Sequence, residues 1–141
     1  MGSHDAPLRP GLVLVFGSFA VLALGGLVTT WDGAWFIARL LETGTPTFLH
    51  GRLIGWTSQA PAIIVRWLGG DAWAVATALG IGIAAFPCVS VLAAWRICGP
   101  DRRPLVSFVV LGIGLAALPG LAFATSEAFL AVCLGWPSIV A

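Results

Sequence analysis

The chain has 141 residues, of which 59% are apolar and only 9% charged, and its mean hydropathy is +1.00. An average soluble domain carries about 25% charged residues, so this composition excludes an ordinary soluble domain and a disordered chain. A net charge of +1 also offers no basic patch for nucleic acid.

What fits is an all-α, polytopic transmembrane protein. A crossing needs about 20 apolar residues, so the length admits three crossings, four at most. All seven cations are arginine, and the 18 glycines suit close approach of helices in lipid. Cys88, Cys98 and Cys133 form no CxxC pair and read as free thiols.

The uncharged run 11–30 is the first predicted crossing. It exceeds the apolar region of a secretory signal, which is about 7–15 residues. Residues 31–71 form a polar loop holding six of the thirteen charged residues. Two short amphipathic helices are predicted in it, lying in the membrane interface. In Gly33–Thr43 the apolar face is Trp35, Phe36 and Leu40. In Arg52–Leu68 it is Leu53, Trp56, Ala60, Ile63, Ile64, Trp67 and Leu68, with Pro61 starting the stronger half and Arg66 on the opposite side, reaching lipid headgroups.

Residues 72–95 form the second predicted crossing and contain Pro87. Residues 96–104 make a tight connector, and 105–126 form the third crossing with Pro119 inside it. Interior prolines are tolerated in such helices because neighbours satisfy the freed carbonyls. The tail 128–141 is apolar but too short to cross, and reads as an unfinished fourth helix, so the chain reads as a piece of a longer protein. Two stripes of small residues, Ala74/Ala78/Gly82 and Gly112/Ala116/Gly120/Ala124, offer packing faces. Arg96, Arg102 and Arg103 crowd the connector, whereas Arg39, Arg52 and Arg66 are spread along the loop. The arginine density places the connector and the N-terminus on the cytoplasmic side and the loop outside, and the membrane expected is a bacterial inner membrane.

Asp32 and Glu127 fall on the same, extracytoplasmic side in this topology. A charge deep in lipid costs at least about 2.5–3.5 kcal/mol, so such groups face a cavity, a partner or the interface. As a pair they suit a general base and a clamp for a cation or substrate. The plainer readings are a helix cap for Asp32 and a first-turn dipole contact for Glu127. Arg39 shares a helical face with Asp32, with Trp35 and Phe36 between them, an arrangement suited to a phosphorylated sugar. Alternatively it pairs locally with Glu42. His50, Gly51 and Arg52 add a titratable group and a cation, or simply a solvated loop. No metal-ligand spacing such as HxxxH, no phosphate loop and no GxSxG occurs.

The first crossing ends in Trp31-Asp32-Gly33-Ala34-Trp35-Phe36-Ile37-Ala38-Arg39, and this resembles the start of the GT-C glycosyltransferases, membrane enzymes that use polyprenyl-phosphate sugar donors. In that family an acid opens the first extracytoplasmic loop, two juxtamembrane helices follow, and then a helical hairpin. The resemblance implies Asp32 as the catalytic base or cation ligand, Arg39 and Arg52 on the donor phosphate, and His50 and Glu127 lining the pocket. The chain departs from the family in being far shorter and in lacking a doubled acid, Asp-Glu or Asp-x-Asp. The cofactor is therefore unassigned, with a divalent cation one option. Two other expectations stand beside the N-terminal portion of such an enzyme. One is a small non-catalytic subunit that packs its small-residue stripes and Glu127 against a larger membrane partner. The other is part of a transporter with helices broken at Pro87 and Pro119.

Overall fold

The computed structural model describes residues 31–47, 54–102, 104–120 and 127–140, together with 13, 16–18, 20–21 and 24 of the first apolar run. Those seven positions are helical, and Val13, Val21 and Leu24 among them are exposed. The rest of the run 11–30 lies outside the described residues. The other elements are α1 (Trp31–Thr43), α2 (Ile54–Trp67), α3 (Ala72–Ile97), a 3-10 turn (Pro100–Arg102), α4 (Leu105–Gly120) and α5 (Glu127–Val140). Among the described residues there is no strand.

α3 organises the rest. Its 26 residues span about 39 Å at the helical rise. Asp71 caps its start, accepting the Ala74 N–H at 2.8 Å. The Cys98 N–H closes its end on the Ala94 carbonyl at 2.9 Å. Trp73 and Trp95 stand near its two ends, twenty-two residues apart in the helix, which is about 33 Å. That separation matches a hydrocarbon core of about 30 Å with an aromatic residue at each interface. Among the described residues α3 alone is long and apolar enough to cross a membrane.

Two glycines set the chain reversals. α1 stops at Gly44, which takes φ +64° and donates its N–H to the Leu40 carbonyl at 2.9 Å. α2 stops at Gly69, with φ +84°. There Gly70 N–H reaches the Val65 carbonyl (2.9 Å) and Gly69 N–H the Arg66 carbonyl (3.1 Å), the Schellman arrangement that needs a left-handed residue. The short turn sends α3 back along α2, and these two helices form the most extensive contact in the molecule.

They touch at Gly82, where an added Cβ would lie 2.1 Å from the Ser58 carbonyl oxygen. The expected small-residue stripe is therefore a packing face at Ala78 and Gly82, both buried. Gly112 plays the same part on α4, since a Cβ there would lie 2.1 Å from the Trp136 ring of α5.

Two cores share α3. Its N-terminal half buries Val75, Leu79 and Ile83 against Phe36, Ile37 and Leu40 of α1 and Ala62 and Ile63 of α2. Its C-terminal half buries Val91 and Ala94 against Val106, Val109 and Ile113 of α4 and Cys133 of α5. α5 packs on both α3 and α4. The third predicted crossing is described only as the 16 residues of α4; 121–126 lie outside the described residues.

The predicted apolar stripes of the two short helices are divided between the outside and the core. α2 buries Ser58, Gln59, Ala62 and Ile63, while Trp56, Ile64, Trp67 and Leu68 are exposed, Leu68 by 81%. In α1, Ile37 joins Phe36 and Leu40 inside, and Trp35 is exposed with its ring edge-on to Phe36 at 5.2 Å. The amphipathic rule assigns large apolar groups to the core because it assumes water outside. Here close approach of α2 to α3 selects small residues and internally bonded polar ones for the contact. Ile81, Val89 and Leu92 of α3, Phe108, Leu111 and Leu115 of α4, and Leu134 and Ile139 of α5 extend the apolar exterior. So large an exposed apolar surface marks a membrane or a partner.

Candidate functional site

The polar groups of the loop gather where α1 and α2 end. The last carbonyls of a helix have no intrahelical donor, and at α1 two residues of α2 supply one. Arg66 Nε donates to the Leu41 carbonyl at 3.3 Å, and Trp67 Nε1 to the Gly44 carbonyl at 2.8 Å. A guanidinium at a helix C-terminus also meets the negative end of the helix dipole. Arg66, half-buried, thus turns its Nε to α1. Gln59 is fully buried and clasps Thr47 through both amide atoms. Its Oε1 accepts the Thr47 N–H at 2.9 Å, and its Nε2 donates to the Thr47 carbonyl at 3.0 Å. Thr43 Oγ1 donates to the Arg39 carbonyl at 2.8 Å and accepts the Thr45 N–H at 3.2 Å.

The sequence-predicted site residues are distributed as follows. Arg39 pairs with Glu42 at 2.8 Å, one helical turn away, and both side chains are about half exposed or more. The folded chain therefore shows the local pair, and an exposed pair of this kind is worth about 0.3–0.5 kcal/mol. Asp32 is the second residue of α1, in its first turn, where the helix dipole favours an acid. Glu127 opens α5 in the same way. The side chains of Asp32 and Glu127, and the whole of His50 and Arg52, lie outside the described residues. Among the described residues no three His, Cys, Asp or Glu side chains gather as a metal site would require.

A second feature lies lower on α3. α2, α3 and α5 enclose an apolar groove of about 310 Å³. Gly82, Val89 and Ala93 of α3, Pro61 of α2, and Leu134 and Pro137 of α5 help to line it. Pro137 has no N–H for the Cys133 carbonyl four residues earlier. The Ser90 hydroxyl of α3 donates to that carbonyl instead, a buried bond that ties α5 to α3. With the Ser90 hydroxyl engaged in this way and most of the wall apolar, the groove is suited to holding an alkyl group.

Sequence reasoning missed Gln59, Ser90 and the bonds that Arg66 and Trp67 make to the end of α1. Only the Ser90 bond had a sequence signal, since a proline inside a lipid-embedded helix demands a donor from a neighbour. Comparison with protein-family models, curated proteins and solved structures gave no match.

Proposed function

We propose that the chain is an integral membrane module of a bacterial plasma membrane, built to assemble with further membrane helices. α3 crosses the bilayer, the α1–α2 head packs along its extracytoplasmic half, and the arginine-bearing turn after α3 sits at the cytoplasmic face. The observation that carries this reading is an exterior as apolar as the two cores it surrounds. Ser58, Gln59 and Ser90 are buried, while large apolar side chains of α3, α4 and α5 are exposed. Gln59, Arg66 and Trp67 bond within the head and hold it together.

In-cell photocrosslinking from Phe108 and Leu111 tests the assembly. The expected result is a discrete adduct with one other integral membrane protein. Adducts with lipid alone would remove the reading.

The glycosyltransferase reading is kept for one observation: Asp32 stands in the first turn of α1, and the helix it opens packs on the α2–α3 hairpin. The resemblance implies an acid, two juxtamembrane helices and then a helical hairpin, which in this chain would be Asp32, α1 and α2, and the pair α3 and α4. On this reading Asp32 is the base toward the acceptor, and Arg52, His50 and Glu127 complete a donor pocket. In the full-length protein Asp32→Asn abolishes sugar transfer and leaves insertion intact. Transfer at the wild-type rate in that variant contradicts this reading.

A further inference from the structure

The groove lies at one depth in the membrane. Gly82 is near the midpoint between Trp73 and Trp95, and Ala93 is next to Trp95 in height. From Gly82 to Ala93 the helix rises about 16 Å, close to half of a hydrocarbon core of about 30 Å. The groove therefore covers one leaflet, from the bilayer midplane to the interface.

Its volume decides what fits. About 310 Å³ equals roughly ten water-sized volumes of about 30 Å³ each. A second helix, about 10 Å across with its side chains, does not enter such a space. A single alkyl chain does. Pro61 on α2 and Pro137 on α5 both line the groove, and neither brings a backbone N–H to its wall.

Charge fixes the other end of the ligand. Val89, Ala93 and Arg96 follow one another on a single face of α3 at spacings of four and three residues. Arg96 is exposed, in the last turn, one residue beyond Trp95. A guanidinium at that height meets the phosphate level of the same leaflet whose hydrocarbon the groove spans.

We propose that the groove and Arg96 form a binding site for one anionic phospholipid of the leaflet on the connector side, with an acyl chain against Gly82, Val89, Ala93 and Leu134 and the phosphate on Arg96. This rests on the membrane placement of α3 and is independent of what the module assembles with.

The test uses the full chain in phosphatidylcholine nanodiscs that contain phosphatidylglycerol with a mid-chain diazirine. Illumination followed by peptide mass spectrometry is expected to label residues 85–93 and 134 several-fold more than Phe108–Leu115 of α4, which are exposed but ungrooved. Ala93→Phe, or Leu134→Phe from the other wall, brings groove labelling down to the α4 level. Arg96→Gln lowers labelling by the phosphatidylglycerol probe several-fold more than labelling by a phosphatidylcholine probe, whose choline cation already offsets its phosphate, a selectivity that misfolding does not produce. Equal labelling of groove and α4, insensitivity to both phenylalanines, or crosslinks from the groove to residues 11–30 in place of lipid would each overturn the proposal. No labelling at either place would remove the membrane placement as well.

Discussion

Gly82→Ala replaces one hydrogen by a methyl group at the tightest contact between α2 and α3. The new Cβ would lie 2.1 Å from the Ser58 oxygen and 3.0 Å from its carbonyl carbon. Relaxed carbon–oxygen contacts are about 3.3–3.6 Å, so α2 must withdraw by about 1.2 Å or more. The obstacle is backbone, and no rotamer change relieves it. A gap of 0.5–1 Å already forfeits about a quarter to a half of the dispersion energy across an interface. Here that interface includes Ala62, Ile63, Val75 and Leu79, all buried. Overpacking costs about 1–3 kcal/mol, and a backbone obstacle sets the upper end. The better helix propensity of alanine returns about 1 kcal/mol. The net loss is about 2 kcal/mol, roughly 30-fold in the folding equilibrium. Unfolding of the purified protein in mild detergent, with hydrogen exchange read on α2, measures it. Gly114→Ala is the control, because nothing lies within 4 Å of a Cβ there. If Gly82→Ala is as stable as Gly114→Ala, the close α2–α3 contact is wrong.

Other outcomes follow from single contacts. Ser90→Ala removes the donor to the Cys133 carbonyl and costs about 1 kcal/mol, but costs little when Pro137→Ala has restored the N–H; a double-mutant cycle that shows no coupling refutes the exchange. Gln59→Leu leaves both backbone groups of Thr47 without this partner and destabilises by about 1–3 kcal/mol, with faster hydrogen exchange around residue 47 as its signature. Gly112→Ala displaces the Trp136 ring, and the change is read as altered indole fluorescence against a Trp136→Phe blank. Arg39→Ala changes stability by less than about 0.5 kcal/mol, because its pair with Glu42 is solvent-screened; a loss above 1 kcal/mol would show that Arg39 bonds elsewhere.

Much of the fold was legible because hydrophobic length and proline–glycine punctuation are local properties. α3 begins and ends within two residues of the predicted second crossing, fixed by Asp71 at one end and the Arg96 connector at the other. Helices were read in the right parts of the loop, and the glycines of the α2–α3 turn end the second of them. The buried faces of α1 and α2 were not legible. Period alone cannot tell which side of an amphipathic helix is inside when the surroundings are apolar: of the predicted α2 stripe, Trp56, Ile64 and Trp67 face out while Ile63 is buried. The local partner of Arg39 was visible from its spacing to Glu42. The partners of Gln59 and Arg66 were not, because they lie 12 and 25 residues away and depend on how α1 and α2 meet.

The placement of α3 in the bilayer is the central claim, and solvent access to its exposed face tests it most directly. Single cysteines at Ile81, Ala85, Val89 and Leu92, in a background lacking Cys88, Cys98 and Cys133, are treated in intact membranes with an impermeant thiol reagent. All four positions are on the outer surface of the protein, so in water all four react. The account predicts that none of them reacts, while cysteines at Asp71 and Gly99 react from opposite sides of the membrane. Labelling of Val89 at the rate of position 71, or labelling of both ends from one side, would contradict it.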